Sequence, residues 1–256
     1  MAVAAQTNLQ LYRQLTDQGA APSDLAAVRR AYDLASSLFA GLYRASGKPF
    51  VAHVVGTASV LAAQRVPLPL VTAGLLHAAY VQGTFGDGPP GRTRRRAERL
   101  IEAIGGEAER LVSRYATLPW KAGDLSAFRN LPASLDSLDR DVLTIRLANE
   151  VEELIDYGVL HHGDAERRRE EAVQALPVWI SWASAISADG IALALEAARA
   201  QLVTFRAPDE LRTDRVRSYR PPPVTRPTLA SSTRLALRRI RGVLRRLSVP
   251  PGKTRP

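Results

Sequence analysis

Residues 46–80 read SGKPFVAHVVGTASVLAAQRVPLPLVTAGLLHAAY, and this stretch decides the fold. Its second half, residues 68–80, is apolar almost all round, the pattern of a central buried helix rather than a surface one. Its first half predicts another long helix over residues 50–64, entered after the breaker Gly47-Lys48-Pro49 and left before Pro67. Each helix carries one histidine, His53 and His77. Two imidazoles brought to one interior by two packed helices is how an all-helical hydrolase builds a metal site.

Working outward, Leu9, Leu11 and Leu15 start a short helix that ends near Gly19. Ser23-Asp24 caps a second, in which Val28, Tyr32, Leu34, Leu38, Leu42 and Tyr43 recur at helical spacing. Residues 83–91, GTFGDGPPG, are a loop by their glycine and proline density. Helices follow over 92–104, 107–115 and 135–157, the last with Val142, Ile145, Leu147, Val151, Leu154 and Ile155 on one stripe. A polar helix over 164–174 leads into Leu176-Pro177-Val178-Trp179-Ile180, and a final helix covers 191–205. Strand alternation and internal repeats are missing, so the expected class is all-α.

The net charge of +10 is unevenly placed. Residues 1–206 carry 22 basic and 22 acidic side chains, whereas residues 207–256 carry 13 against 3. A neutral helical domain (1–206) therefore bears a cationic appendage: a Pro/Arg-rich linker (207–230), extended by its prolines, and a basic tail (231–256). Within the tail, residues 233–248 predict an amphipathic helix with Arg238, Arg239, Arg241, Arg245 and Arg246 opposite an apolar face. That face favours an anionic membrane surface or a partner helix over nucleic acid, because phosphate binding needs no apolar face. Cysteine is absent, which excludes disulfides and thiolate metal sites. The N-terminus lacks a signal-peptide pattern and no apolar run reaches the roughly 20 residues that cross a bilayer. The expected location is cytoplasmic, peripheral to membrane if the tail engages it.

Taken in order, YRASGKPFVAH (43–53), AGLLHAAYVQGT (73–84) and LTIRLANEVEEL (143–154) resemble three successive motifs of the HD-domain superfamily, in the variant found in the hydrolase domain of RelA/SpoT-type (p)ppGpp enzymes. The resemblance covers roughly residues 25–200 and implies an HD-like helical bundle. Arg44, Ser46, Gly47, Pro49, Phe50 and His53 match the first motif, and His77 the second. The departures fall on the chemistry. The dyad aspartate of the second motif is Ala78, the following acidic pair is Val81 and Gln82, and the aspartate ligand of the third motif is Asn149. The resemblance thus implies metal positions at His53, His77 and Asn149 from which both carboxylates are lost, and with them the charge neutralisation that holds a catalytic divalent ion. Glu152 and Glu153, one turn after Asn149, are the available replacements.

Two functional readings follow. In the first, the domain is a degenerate, non-catalytic relative that binds a small ligand, possible nucleotides included, or a protein partner in a regulatory role. Its candidate ligand residues are Arg44, Ser46, Lys48 and Arg146 for phosphate, and Tyr80, Gln82 and Phe85 for hydrogen bonding and stacking. It needs no cofactor. In the second, the chain is a divergent phosphohydrolase with a rebuilt site for Mn, Fe or Zn. The run from Arg92 to Arg96 reads as a solvated helix start, and His161-His162 as a surface turn without a role.

Overall fold

In the computed structural model, residues 4–117 and 135–222 are described. The expected helix 233–248, with Arg238, Arg239, Arg241, Arg245 and Arg246, lies outside them. The described chain is all-α. Its helices are α1 (Asn8–Asp17), α2 (Pro22–Leu38), α3 (Phe50–Ala63), α4 (Leu68–Leu76), the single turn α5 (Ala79–Gln82) and α6 (Arg94–Thr117). After these come α7 (Ser137–Ile155), α8 (Ala165–Ala185) and α9 (Asp189–Thr204). The extended contacts among the described residues are isolated bridges from Tyr43 to Pro49 and to Tyr219. No described helix is long and apolar enough to cross a membrane.

α3 is the central element. From His53 to Ala62 every side chain is buried, and the helix packs on α1, α2, α4 and α7. Val54, Val55 and Leu61 are fully enclosed, each contributing about 2 kcal/mol by leaving water. α4 is buried from Leu70 to Leu76 and contacts α2, α3, α6 and α7. Two apolar helices crossing at the centre leave little room for polar side chains. Those they do carry, His53 and His77 among them, are held in place by neighbours.

Several boundaries differ from the sequence expectation, each for a local reason. α2 stops at Leu38 instead of running to Tyr43, because Phe39 turns into the core against Phe50, with ring centroids 4.9 Å apart. Its N-cap is Ala21, with Pro22 in the first turn, so Ser23-Asp24 lies inside the helix. The expected helix 68–80 breaks at His77-Ala78, where the His77 Nδ1–H donates to Gly74 O in the last turn of α4 (2.8 Å). Such side-chain bonds compete with helix continuation. α8 passes through Pro177 without stopping, and Pro177 lies on its exposed face, where its ring does not disturb the core. The expected break between residues 104 and 107 is present as a kink at Gly105 (φ 82°) inside α6.

The segment expected to begin the linker does not leave the domain at residue 207. Thr213 N donates to His161 O and Gly163 N to Arg215 O, both at 2.9 Å, and Tyr43 and Tyr219 exchange both backbone hydrogen bonds. Residues 213–219 thus form a strap along the body of the domain.

Candidate functional site

α3, the end of α4 and α7 bring His53, His77 and the Asn149–Glu153 stretch to one place. The imidazoles of His53 and His77 meet edge to face, 5.4 Å between centroids, with Phe50 against the first (5.2 Å) and Tyr115 against the second (5.0 Å). They line a cavity of about 330 Å³ whose wall also includes Arg44, Ala78, Val81, Gln82, Arg146, Asn149, Glu150, Glu153, Arg168 and Trp179.

The tautomer of His77 follows from its partner. A carbonyl only accepts, so Nδ1 carries the proton given to Gly74 O and Nε2 is a lone-pair acceptor. Burial, reinforced by the neighbouring His53, lowers its pKa to about 3, so the ring is neutral at physiological pH. His53 is anchored the same way: its Nδ1 meets the Glu152 carboxylate, and its Nε2 is buried with no hydrogen-bond partner. Both histidines therefore offer Nε2 from a fixed ring.

The carboxylates around them are all matched by cations. Glu152 is bound by Lys48, which also reaches Asp156 at 2.9 Å. Glu153 is bound by Arg44, and Glu150 by Arg146 at 2.5 Å. Burial alone would raise the Glu153 carboxyl, but the Arg44 guanidinium overcomes this and holds it at about 2. Glu150 has the opposite balance: burial raises it in spite of Arg146. Lys48 would be lowered by burial, and Glu152 lifts it above its ordinary value. Of the charged side chains that line the cavity itself, Arg44, Arg146 and Arg168 equal in number Glu150, Glu153 and Glu171, so its wall carries no surplus formal charge.

This donor set does not fit a divalent metal. Ala78 presents a methyl group, and the Asn149 amide donates to Glu150 (3.4 Å). Glu152 sits on the Nδ1 side of His53, where it orients the ring instead of sharing a ligand position with Nε2. Among the described residues no group of three or more His, Cys, Asp or Glu side chains is arranged to hold a metal ion.

The structure gathers only part of the residues singled out from the sequence. Arg44, Gln82, Arg146, His53, His77 and Asn149 share the cavity. Ser46 and Lys48 lie behind His53, lining a small void with Glu152 and Asp156, and the Lys48 ammonium is held by those two carboxylates. Tyr80 and Phe85 are elsewhere: Tyr80 is buried and donates to Glu109 Oε1 (2.7 Å), and Phe85 stacks on it beneath the Arg96 and Arg99 guanidiniums. Arg96 is not solvated. It is buried, pairs with Asp87 and donates to Pro89 O and Gly91 O, tying down the 83–91 loop. His162 is not on a surface turn either, being only 4 % exposed beneath the strap. Sequence reasoning missed Glu150, Tyr115, Arg168 and Trp179 as cavity residues. The i,i+4 spacing of Arg146 and Glu150 was a readable signal for one of them; the others arrive from distant elements.

Residues 35–119 match a family described as "Domain of unknown function (DUF6817)". The matched span includes both histidines and ends before α7, which supplies the carboxylates. No curated protein matches the chain.

Proposed function

We propose that this chain is an HD-like domain that has kept the pocket of a hydrolase and given up its metal chemistry, and that it binds a small ligand, a nucleotide or similar compound, in a regulatory role. One observation carries the reading: the carboxylates that line the cavity, Glu150, Glu153 and Glu171, are each ion-paired and are equalled in number by its arginines Arg44, Arg146 and Arg168, so the cavity has no negative charge in excess to hold a dication. The three motifs that resemble the HD superfamily converge on that cavity, which supports the ancestry. Its volume of about 330 Å³, the apolar surfaces of Phe50, Val81 and Trp179, and a few fixed polar groups suit a small organic molecule.

A divergent metal-dependent phosphohydrolase is the competing reading, and the unpartnered Nε2 of His53 favours it, since metal-binding histidines anchor their other nitrogen as these do. Binding of GDP to the full chain, with and without chelator, separates the two. The ligand-binding reading expects affinity that survives chelation and is lost in His77→Ala. Affinity or phosphate release that requires added Mn or Zn would replace it with the hydrolase.

A further inference from the structure

Between the strap and the body of the domain lies a second depression, of about 340 Å³, lined by Arg44, Gln82, His162, Arg168, Arg217 and Ser218 along with two small apolar residues. Among the described residues no acidic side chain lines it. Three arginines line it. Arg44 and Arg168 have carboxylate partners outside the depression, in Glu153 and Asp164. Among the described residues Arg217 has no ion pair or hydrogen bond.

The depression is built, not incidental. Arg168 Nη2 donates to Val216 O (2.9 Å), which fixes the strap and that arginine together. Thr213 Oγ1 donates to Ala45 O (2.9 Å), next to Arg44. At Gly163 a Cβ would stand 2.7 Å from Asp214 O, so the strap approaches closely because that residue has no side chain. His162 supplies an independent sign of a missing partner: it is 4 % exposed, and its Nδ1 has no hydrogen-bond partner, with Asp164 Oδ1 4.0 Å away and beyond hydrogen-bond reach. Buried polar groups of this kind are uncommon unless a ligand or water completes them.

Arg44, Gln82 and Arg168 line both this depression and the cavity that holds His53 and His77. We infer that the depression is an oxyanion subsite, for the phosphate or pyrophosphate of a soluble ligand whose remaining part enters the cavity. Guanidiniums suit this task because their planar N–H pairs match phosphate oxygens two at a time. The Ser218 hydroxyl and the Gln82 amide add neutral donors. The inference rests on the proposed ligand-binding reading for the cavity half. The oxyanion half stands independently of it.

The test is titration of the full chain with inorganic pyrophosphate, followed by calorimetry and by the ring NMR signals of His162. Saturable binding that shifts the His162 signals is expected. Arg217→Ala should weaken it about tenfold, the loss of one charge-assisted contact, with partial recovery in Arg217→Lys. Tyr80→Phe lies outside both the depression and the cavity and should leave pyrophosphate affinity unchanged. Pyrophosphate binding without GDP binding would retire the cavity reading and leave the subsite standing. Equal affinity in wild type and Arg217→Ala, or unmoved His162 signals, would overturn the subsite and place any binding on other basic residues. A second arm uses phosphatidylcholine vesicles with and without phosphatidic acid. Vesicle binding lost in Arg217→Ala while pyrophosphate binding persists would assign Arg217 to a lipid headgroup, and so overturn the soluble ligand.

Discussion

Glu152→Gln is the substitution that most sharply probes the ion pairing behind His53. The carboxylate is 1 % exposed, receives the Lys48 ammonium and orients His53. Glutamine keeps the shape, and its amide oxygen still accepts from His53 Nδ1, but Lys48 loses a buried counter-charge. Breaking a buried pair typically costs 3–5 kcal/mol. Lys48 keeps Asp156 at 2.9 Å, and that carboxylate is 45 % exposed, so the loss falls at the low end, about 3 kcal/mol. For a domain of this size each kcal/mol moves Tm by 2–4 °C, which gives a drop of about 6–12 °C. Chemical denaturation with matched m-values would measure the free energy directly. The comparison is Glu98→Gln, which breaks the Arg94–Glu98 pair, whose side chains are 93 % and 59 % exposed. That pair should be worth less than about 0.5 kcal/mol. If the two variants lose equal stability, the Lys48–Glu152–His53 cluster is not the buried, mutually neutralising unit described, and the argument against a metal loses its main support.

The buried neutral histidines predict an acid-sensitive fold. His77 is lowered from 6.5 to about 3 and His162 to about 4, both first by burial, so the unfolded chain binds their protons where the folded chain does not. Stability is therefore full above about pH 6.5 and declines as pH falls toward 4, by about 1.4 kcal/mol per pH unit for each histidine. Denaturant midpoints at pH 7 and 5 check this, and His77→Gln should remove about half of the slope; an unchanged slope would contradict the neutral, enclosed ring. Gly56→Ala places a Cβ 2.5 Å from Glu152 Cγ, so a loss of about 1–3 kcal/mol is expected in thermal unfolding. Tyr80→Phe removes one hydrogen bond to Glu109 and should cost about 1 kcal/mol while leaving GDP affinity unchanged, because Tyr80 lies outside the cavity. Gly163→Ala should lift the strap, and hydrogen exchange at the Thr213 and Tyr219 amides, which donate to His161 O and Tyr43 O, would rise in that variant if the backbone contacts hold it down.

The parts of this structure legible in the sequence are those that repeat. The all-round apolar pattern of residues 68–80 marked a buried helix, and the α7 stripe from Val142 to Ile155 showed which face turns inward. The meeting of His53, His77 and Asn149 was readable through motif order, since three ordered motifs carry long-range information that periodicity lacks. What stayed hidden depends on single contacts between distant residues. Nothing local shows that Lys48 will neutralise Glu152 across 104 positions, or that His77 will end α4 by bonding Gly74 O. The burial of His162 is created by a strap that arrives from residues 213–219 through backbone hydrogen bonds, which leave no side-chain pattern to read. Tyr80 and Phe85 looked like ligand residues because their neighbours resemble a catalytic motif, but the short α5 turn and the residues after it carry them to Glu109 and Arg96 instead.

The account turns on a pocket whose charges are already satisfied. Elemental analysis of the full chain, purified without chelator or affinity-tag metal and with His53→Ala beside it, tests this most directly. The balanced wall predicts far less than one equivalent of Mn, Fe or Zn in both proteins. One equivalent in the wild type that disappears in His53→Ala would contradict it, and would show that His53 and His77 hold a metal despite the ion-paired carboxylates around them.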